Sequence, residues 1–364
     1  MKTAFWVVCL MLWGLSGTWA SAGMVTVTDM VGRQVTAPRD PERIVCVGPG
    51  SLRLIVYLQA ETKVAGVEDM EKMNPGGRPY WIAHPELSKL PRCGPGGPAG
   101  INKKPDLEAV LAVKPQVIFV TYMDGSLADE VQRTLGIPVI VLSYGAFASF
   151  DEAVYDALRI AGRVLNREKR ADDIVTYVDS MRKDLWHRTA DIPKDRRPTV
   201  YVGGIGYRGA RGLESTERLY IPFEWVGADN VARQAEAHIG GNVLMDKEIL
   251  LRLDPEFIFV DGSGLILVEE DYQKKRAYYH SLRAFAAGQV YTLLPFNWYA
   301  TNIETALVDA YAIGKRLYGA RFEDVDLERK ADDIYRFLVG RPVYQEMIKD
   351  FGPAGRKAPF LDGR

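Results

Sequence analysis

Arginine, tyrosine and tryptophan side chains recur where short apolar runs of the sequence end. Open sheets of parallel strands place their ligands at the carboxyl ends of the strands. Arginine binds anions through charge-assisted hydrogen bonds, and aromatic faces stack on planar or cationic groups. The combination predicts a cleft for a large, partly planar and partly anionic ligand. The candidate ligand-binding residues, which lie in or near the segments that follow such runs, are Ser51, Arg53, Tyr122, Tyr144, Tyr207, Arg208, Arg211, Asn297, Trp298 and Tyr299.

These residues do not form the patterns of a catalytic or metal-binding site. Ser51 follows Gly-Pro-Gly but lacks the Gly-x-Ser-x-Gly pattern of hydrolases, so we interpret it as a helix N-cap or as a hydroxyl that contacts an anion. The segment from Gly204 to Gly209 fits Gly-x-Gly-x-x-Gly, yet no amphipathic helix follows, which favours a flexible loop over a dinucleotide site. The 4 histidines lack zinc-site spacings. We expect no catalytic residue, no cofactor and no resident metal; a metal would arrive held by a chelator.

The elements that position these residues follow from the apolar runs, which helical or loop segments separate as in a parallel α/β sheet. The runs lie at 43–47, 63–67, 116–120, 138–142, 199–202, 257–260 and 289–292. They predict a first lobe over 24–148 and a second over 198–318. Between them, residues 150–189 have apolar positions spaced by three and four, which predicts a bridging helix. The predicted fold class is α/β, two lobes joined by one long bridging helix, with a C-terminal helical extension at 319–364.

An internal repeat supports the division into two lobes. Leu107–Val120 and Lys247–Val260 match at a constant offset of 140 residues, and each has the pattern of a helix, a proline break and a strand. Matching Glu, Pro and Ile-Phe-Val positions at one offset favour two similar lobes over coincidence.

The composition and the N-terminus indicate an exported protein. The chain has 364 residues, with 46 Lys and Arg against 47 Asp and Glu, so it has no electrostatic footprint for nucleic acid. Residues 1–22 have one lysine, an apolar stretch and an Ala-Ser-Ala end, which predicts a signal peptide cleaved after Ala22. No cysteine follows that point to take a lipid. Cys46 and Cys93 form a disulfide or remain two buried thiols; both alternatives are open.

Five segments together resemble the periplasmic substrate-binding proteins of ABC importers for ferric siderophores, haem and cobalamin. The likeness extends over about residues 25–318, with the core family domain at 43–318. A segment at 91–100 is richer in Gly and Pro than is usual for the family. The segments that carry the resemblance are Val25–Arg33, Pro41–Val45, Lys63–Val67, Pro105–Pro115 and Gly136–Val139.

The resemblance implies a monomeric, soluble periplasmic receptor rather than an enzyme. It would capture a metal chelate, in the first instance a ferric siderophore, and deliver it to an inner-membrane permease and its ATPase. Haem, cobalamin, molybdate and tungstate are alternative ligands, and an exported α/β enzyme is the alternative from another class. The resemblance also implies that Glu108 and Glu248, the paired glutamates of the internal repeat, contact the two permease subunits.

Overall fold

The first lobe is built on a parallel sheet whose strands are buried on both faces. The computed structural model describes residues 23–73, 76–145, 150–206, 209–235 and 242–361. An antiparallel hairpin precedes the sheet, and its strands are β1 (Met24–Thr28) and β2 (Gln34–Pro38). The strands of the sheet are β3 (Ile44–Val47), β4 (Val64–Gly66), β5 (Val117–Thr121) and β6 (Val139–Leu142), in the order β4-β3-β5-β6. Continuous apolar strands of this kind are typical of a sheet covered on both sides.

Short helices connect the strands of the first lobe. They are α1 (Ser51–Tyr57), α2 (Asp69–Lys72), α3 (Pro79–Ala83), α4 (Leu107–Ala112) and α5 (Gly125–Leu135). α1 begins directly after the carboxyl end of β3, and all seven of its residues are buried. Its side chains therefore point into the protein on every face.

Two helices fill the region in which the sequence predicts one long bridging helix. They are α6 (Ala153–Val164) and α7 (Glu168–His187). The break between them contains Asn166 in the left-handed conformation (φ 53°), which an α-helix cannot continue through. α6 packs on α1 and β1 of the first lobe, whereas α7 extends to the second lobe. The bridging element is thus the 20-residue helix α7.

The second lobe repeats the parallel sheet of the first. Its first segments are β7 (Thr199–Gly203), β8 (Ser215–Glu217), α8 (Ile221–Trp225), β9 (Asp229–Asn230) and β10 (Asn242–Leu244). The following segments are α9 (Lys247–Leu253), β11 (Phe257–Asp261), α10 (Leu265–Lys274), α11 (Arg276–His280), α12 (Arg283–Ala286) and β12 (Val290–Leu293). The sheet has the order β12-β11-β7-β9, and β8 pairs with β10 separately.

The internal repeat corresponds to equivalent places in the two sheets. β5 and β11 start 140 residues apart, and each is an inner strand that pairs in parallel with two neighbours. The helices before them, α4 and α9, each begin after an aspartate N-cap, Asp106 and Asp246. These carboxylates accept hydrogen bonds from first-turn N–H groups and so stabilise each helix start. The prediction of two similar lobes is confirmed.

C-terminal helices complete a core that the lobes share. They are α13 (Ile303–Leu317), α14 (Leu327–Val339) and α15 (Tyr344–Phe351). One apolar cluster includes side chains of the first lobe, of α6, α7 and α8, and of these helices. The chain then runs beside β12, where Ala358 N–H donates to the Val290 carbonyl at 2.9 Å. Within the described part of the chain, no helix is long and apolar enough to cross a bilayer.

Candidate ligand-binding site

The carboxyl ends of both sheets open towards one segment, Asn297–Thr301, which follows β12. A β-bridge joins Asn297 to Thr301, and the next residue, Asn302, donates from its backbone N–H to the Phe296 carbonyl at 2.8 Å. Tyr299 and Ala300 both have left-handed backbone conformations, at φ 54° and 71°. Such a conformation costs a non-glycine residue free energy and persists where the surroundings hold it in place. We call Asn297–Thr301 the cleft segment.

Arg53 of α1 holds the cleft segment against the first lobe. Its guanidinium donates to three backbone carbonyls, those of Trp298 at 2.9 Å, Tyr299 at 3.0 Å and Thr301 at 3.1 Å. The side chain is fully buried and lies over the ring of Tyr80, 4.8 Å from its centroid. Arg53 therefore determines the position of the segment that carries the predicted aromatic contacts.

In the structure Arg53 binds protein groups, and its direct contact with the ligand stays a prediction. Nη1 and Nη2 donate to protein carbonyls, Nε has no hydrogen-bond partner among the described residues, and the side chain is fully buried. Because α1 is buried on all sides, its arginine reaches across the lobe interface to the cleft segment. Arginine is rarely fully buried unless its charged group is paired, and here the three backbone carbonyls supply partners.

Ser51 and Tyr144 also bind protein groups. Ser51 Oγ donates to the Phe119 carbonyl at 3.1 Å, and Tyr144 Oη donates to the Gly50 carbonyl at 2.9 Å. Both side chains are buried, so their role in this structure is to fix the turn between β3 and α1. The turn requires glycine at position 50, where φ is 78° and a Cβ would lie 2.6 Å from Cε2 of the Tyr144 ring.

The remaining predicted ligand residues are more open. Tyr122, Asn297, Trp298 and Tyr299 are partly buried, and Arg211 is exposed. Tyr122 directly follows β5 in a left-handed conformation at φ 57°. The structure thus places these side chains at the carboxyl ends of strands of both lobes, as the sequence predicted for a cleft. Tyr207 and Arg208 lie outside the described residues.

A glutamate of the first lobe anchors one end of the cleft segment. Tyr299 Oη donates to Glu68 Oε2 at 2.9 Å and accepts a hydrogen bond from Gly97 N–H at 3.0 Å. Glu68 also accepts from Gly48 N–H at 3.1 Å. Burial raises the pKa of Glu68 to about 7, although the hydrogen bonds from Tyr299 and Gly48 act in the opposite direction. Glu68 is not among the predicted ligand residues, although its place after an apolar run, now β4, already marks it as a residue at the carboxyl end of a strand.

Acidic residues of the second lobe lie at the other end of the segment. Asn297 Nδ2 donates to Glu217 Oε1 at 3.5 Å. Burial and the neighbouring Asp261 raise the pKa of Glu217 to about 8, and burial raises that of Asp261 to about 7. Asp261 accepts from Ser263 N–H at 2.8 Å, which shapes the loop after β11. No sequence motif identifies Glu217, because its contact with the cleft segment is a hydrogen bond from Asn297, which lies 80 positions away in the chain.

The remaining predicted residues are the cysteines and the paired glutamates. Cys46 and Cys93 are free and buried, so the structure has the two-thiol alternative. Burial raises the pKa of Cys93 to about 12, and it also raises the pKa of Cys46, which keeps both thiols protonated at neutral pH. Glu108 and Glu248 are both exposed in the first turns of α4 and α9.

Other candidate sites lie apart from these residues. The described residues contain no group of three or more His, Cys, Asp or Glu side chains that could hold a metal ion. A cavity of about 640 Å³ lies between α7 and the second lobe. Its lining contains none of the predicted ligand residues, so we place the candidate site at the carboxyl ends of the strands, where α/β sheets bind ligands. The cavity is lined by Phe150, Glu152, Asp179, Arg182, Lys183, Trp186, Leu219, Ile221, Glu224 and Trp225.

Two α/β lobes, a bridging helix and a cleft at the carboxyl ends of both sheets define a ligand-binding protein of the two-lobed class. The chain belongs to the periplasmic binding protein family, whose model matches residues 44–295. It is a substrate-binding protein of the ABC importer type and not an enzyme. Proteins of this family bind the ligand that is to be transported, without a cofactor, and work with an inner-membrane permease and its ATPase.

Three relatives illustrate the range of the family. The chain is 27% identical over 334 residues to the molybdate-binding protein MolA of Haemophilus influenzae, covering 85% of this chain and 89% of MolA. The structure of MolA bound to molybdate has a TM-score of 0.68 at 24% identity and covers 87% of this chain and 98% of that chain. An uncharacterized ABC transporter substrate-binding lipoprotein of Bacillus subtilis, YvrC, is 25% identical over 279 residues, which are 74% of this chain and 78% of YvrC. The petrobactin-binding protein YclQ of Bacillus subtilis has a TM-score of 0.58 at 18% identity, covering 81% and 99%.

Proposed function

We propose that this protein captures a metal oxyanion of the molybdate and tungstate class in the cleft and delivers it to an inner-membrane ABC permease. The observation that carries the proposal is the buried guanidinium of Arg53 beneath the cleft segment. Arginine stays charged at all physiological pH values, so this group maintains a positive potential under the ligand position. The acidic groups that interact electrostatically with Arg53 are Glu304 and Glu71, and burial raises the pKa of both, which favours their neutral forms.

The contacts between the lobes support a small ligand. Tyr299, from the second lobe, bonds to both Glu68 and Gly97 of the first lobe. Arg53 adds three hydrogen bonds across the same boundary. These contacts fix the floor of the cleft close to both sheets, which favours a compact tetrahedral anion over a bulky ligand. The similarity to a molybdate-binding protein over 85% of the chain supports the same class of ligand.

Calorimetric titration of the purified protein with molybdate and tungstate tests this proposal. Sulfate and phosphate serve as tetrahedral controls, and a ferric siderophore serves as the competing ligand class. We expect saturable binding of the metal oxyanions and a matching rise in melting temperature, since a ligand at 100 times its Kd stabilises the folded state by about 2.7 kcal/mol. Binding of the siderophore without any binding of molybdate or tungstate would refute the proposed ligand.

A ferric siderophore is the second candidate ligand, and the aromatic edge of the cleft favours it. Trp298 and Tyr122 are partly exposed at the carboxyl ends of strands from opposite lobes, and aromatic faces stack on planar chelates. A structural relative is described as petrobactin-binding. Haem and cobalamin would use the same aromatic edge. Absorbance spectra of protein purified from its native host distinguish these coloured ligands from colourless oxyanions.

We also propose that Glu108 and Glu248 are contacts for the permease. Both are exposed, both lie in the first turn of a helix that an aspartate caps, and both precede the equivalent inner strands of the two sheets. The helix dipole alone favours an acidic residue in a first turn, but it does not require matched positions on two lobes. The receptor would present one carboxylate per lobe to a permease with two equivalent subunits.

A further inference from the structure

The cleft segment is held at its two ends by carboxyl groups from opposite lobes. Glu68 of the first lobe accepts a hydrogen bond from Tyr299 at 2.9 Å. Glu217 of the second lobe accepts one from Asn297 at 3.5 Å. Trp298 lies between these two contacts, and its carbonyl binds Arg53. Any change in the charge of either carboxyl group therefore acts on the segment that we assign to the ligand.

Glu217 lies in an acidic, poorly solvated environment. It is 2% exposed, and its Oε2 has no hydrogen-bond partner within the described residues. Asp261 at the end of β11 acts on it electrostatically. Burial and the charges of Asp309 of α13, Asp261 and Glu217 raise the pKa of Tyr220. Its Oη is also buried without a hydrogen-bond partner among the described residues. Three carboxyl groups thus act electrostatically on one buried tyrosine, and burial disfavours the ionised form of each.

Glu68 has a mixed environment. Burial raises its pKa to about 7; the hydrogen bonds from Tyr299 and Gly48 favour the ionised form, whereas the neighbouring Glu71 and Asp69 disfavour it. The nearby charges are partly neutralised, because Glu71 pairs with Arg78 at 3.0 Å and Asp69 pairs with Arg92 at 2.7 Å. The thiol of Cys93 also lies close enough for Glu68 to act on it electrostatically.

We propose that Glu68 and Glu217 make ligand capture proton-linked, so that the cleft takes up protons when it binds its anionic ligand. This inference rests on the proposed function, because it requires the ligand to be an anion. A bound anion beside a carboxyl group favours the neutral form of that group. The complex then holds more protons than the free protein, and by linkage the affinity falls as pH rises. Both groups act as positioning residues through Tyr299 and Asn297.

The pH range over which affinity should change follows from the pKa values of the two carboxyl groups in the ligand-free protein. The pKa values of Glu68 and Glu217 are raised to about 7 and about 8. Below this range both carboxyl groups are neutral and do not repel an anion. Above it both are ionised and repel an anion. We therefore expect affinity to decrease between about pH 6 and pH 9, by at most about tenfold per pH unit for each proton taken up.

The experiment is a calorimetric titration with tungstate at several pH values, each in two buffers of different ionisation enthalpy. Net proton uptake appears as a difference in apparent binding enthalpy between the buffers. We expect uptake near pH 7.5, and a smaller pH dependence in Glu217→Gln and Glu68→Gln, because glutamine keeps the hydrogen-bonding oxygen without titrating. Glu214→Gln, at a partly exposed glutamate directly before β8, the strand that contains Glu217, is the matched control and should retain the parent profile.

The outcomes separate the two proposals. Absence of tungstate binding at every pH would refute the proposed oxyanion ligand and this inference with it. Binding with equal affinity across the range and no buffer dependence would refute only the proton linkage. A ligand-free measurement tests the same groups independently: tryptophan emission should change with pH through the same range in the parent protein but not in Trp298→Phe, and Glu217→Gln should reduce that change. An identical titration in the variant would overturn the assignment of Glu217.

Discussion

Replacing Arg53 is the sharpest test of how the cleft is built. The side chain is fully buried and donates to the carbonyls of Trp298, Tyr299 and Thr301. Arg53→Ala would leave these carbonyls without their donor, and Arg53→Lys would supply one ammonium group where a planar fork now serves three acceptors.

The expected loss can be worked from these contacts. A hydrogen bond to a charged group contributes about 1.5–3 kcal/mol, and breaking a buried network of this kind costs roughly 3–5 kcal/mol in total. That is a large part of a stability of about 5–15 kcal/mol, so Arg53→Ala should unfold at a much lower urea concentration. Arg53→Lys should be intermediate in stability and should shift the tryptophan emission of the ligand-free protein, and Trp298→Phe should abolish that shift.

The assay is urea unfolding followed by circular dichroism, with tryptophan emission and ligand titration on the same samples. Arg43→Ala is the matched control, since Arg43 also donates to a backbone carbonyl, that of Val113, but is exposed. It should lose less than about 1 kcal/mol. If Arg53→Lys unfolds like the parent protein and loses only ligand affinity, then Arg53 contacts the ligand and our assignment of a positioning role is refuted.

Three further predictions concern the cleft, the permease contacts and the turn before α1. Ligand addition should quench tryptophan emission, and persistence of the full quench in Trp298→Phe would show that this residue does not contact the ligand. The double variant Glu108→Lys/Glu248→Lys should bind ligand normally but deliver it poorly to proteoliposomes containing the cognate permease, and transport at the parent rate would contradict the docking role. Gly50→Ala should lose about 1–3 kcal/mol of unfolding free energy, from backbone strain and from overlap of the new Cβ with the Tyr144 ring. Gly32→Ala is the control, because Gly32 has a similar φ of 81° and nothing lies within 4 Å of its new Cβ, so that it should show the loss from strain alone. Equal losses in the two variants would exclude a contribution from overlap.

The sequence alone was sufficient for the architecture because local patterns encode it. Apolar runs without alternation predicted buried parallel strands, and the spacing of three and four residues predicted one long helix between 150 and 189, where the structure has two, α6 and α7. The repeat at an offset of 140 residues identified the equivalent strands β5 and β11. Helix capping is also local, which is why the first turns containing Glu108 and Glu248 could be located without a structure.

The cleft itself depended on contacts that no local pattern contains. Arg53 and Thr301 are separated by 248 positions, and Tyr299 and Glu68 by 231. The sequence correctly located Arg53 beyond the carboxyl end of β3. Only the packing of α1 against the cleft segment decided that its guanidinium binds the carbonyls of Trp298, Tyr299 and Thr301. The sequence did not predict a role for Glu217, because its raised pKa comes from burial and from Asp261, and only the fold brings these two residues together. Strand and helix positions follow from neighbours in the chain, whereas side-chain direction and electrostatics follow from neighbours in space.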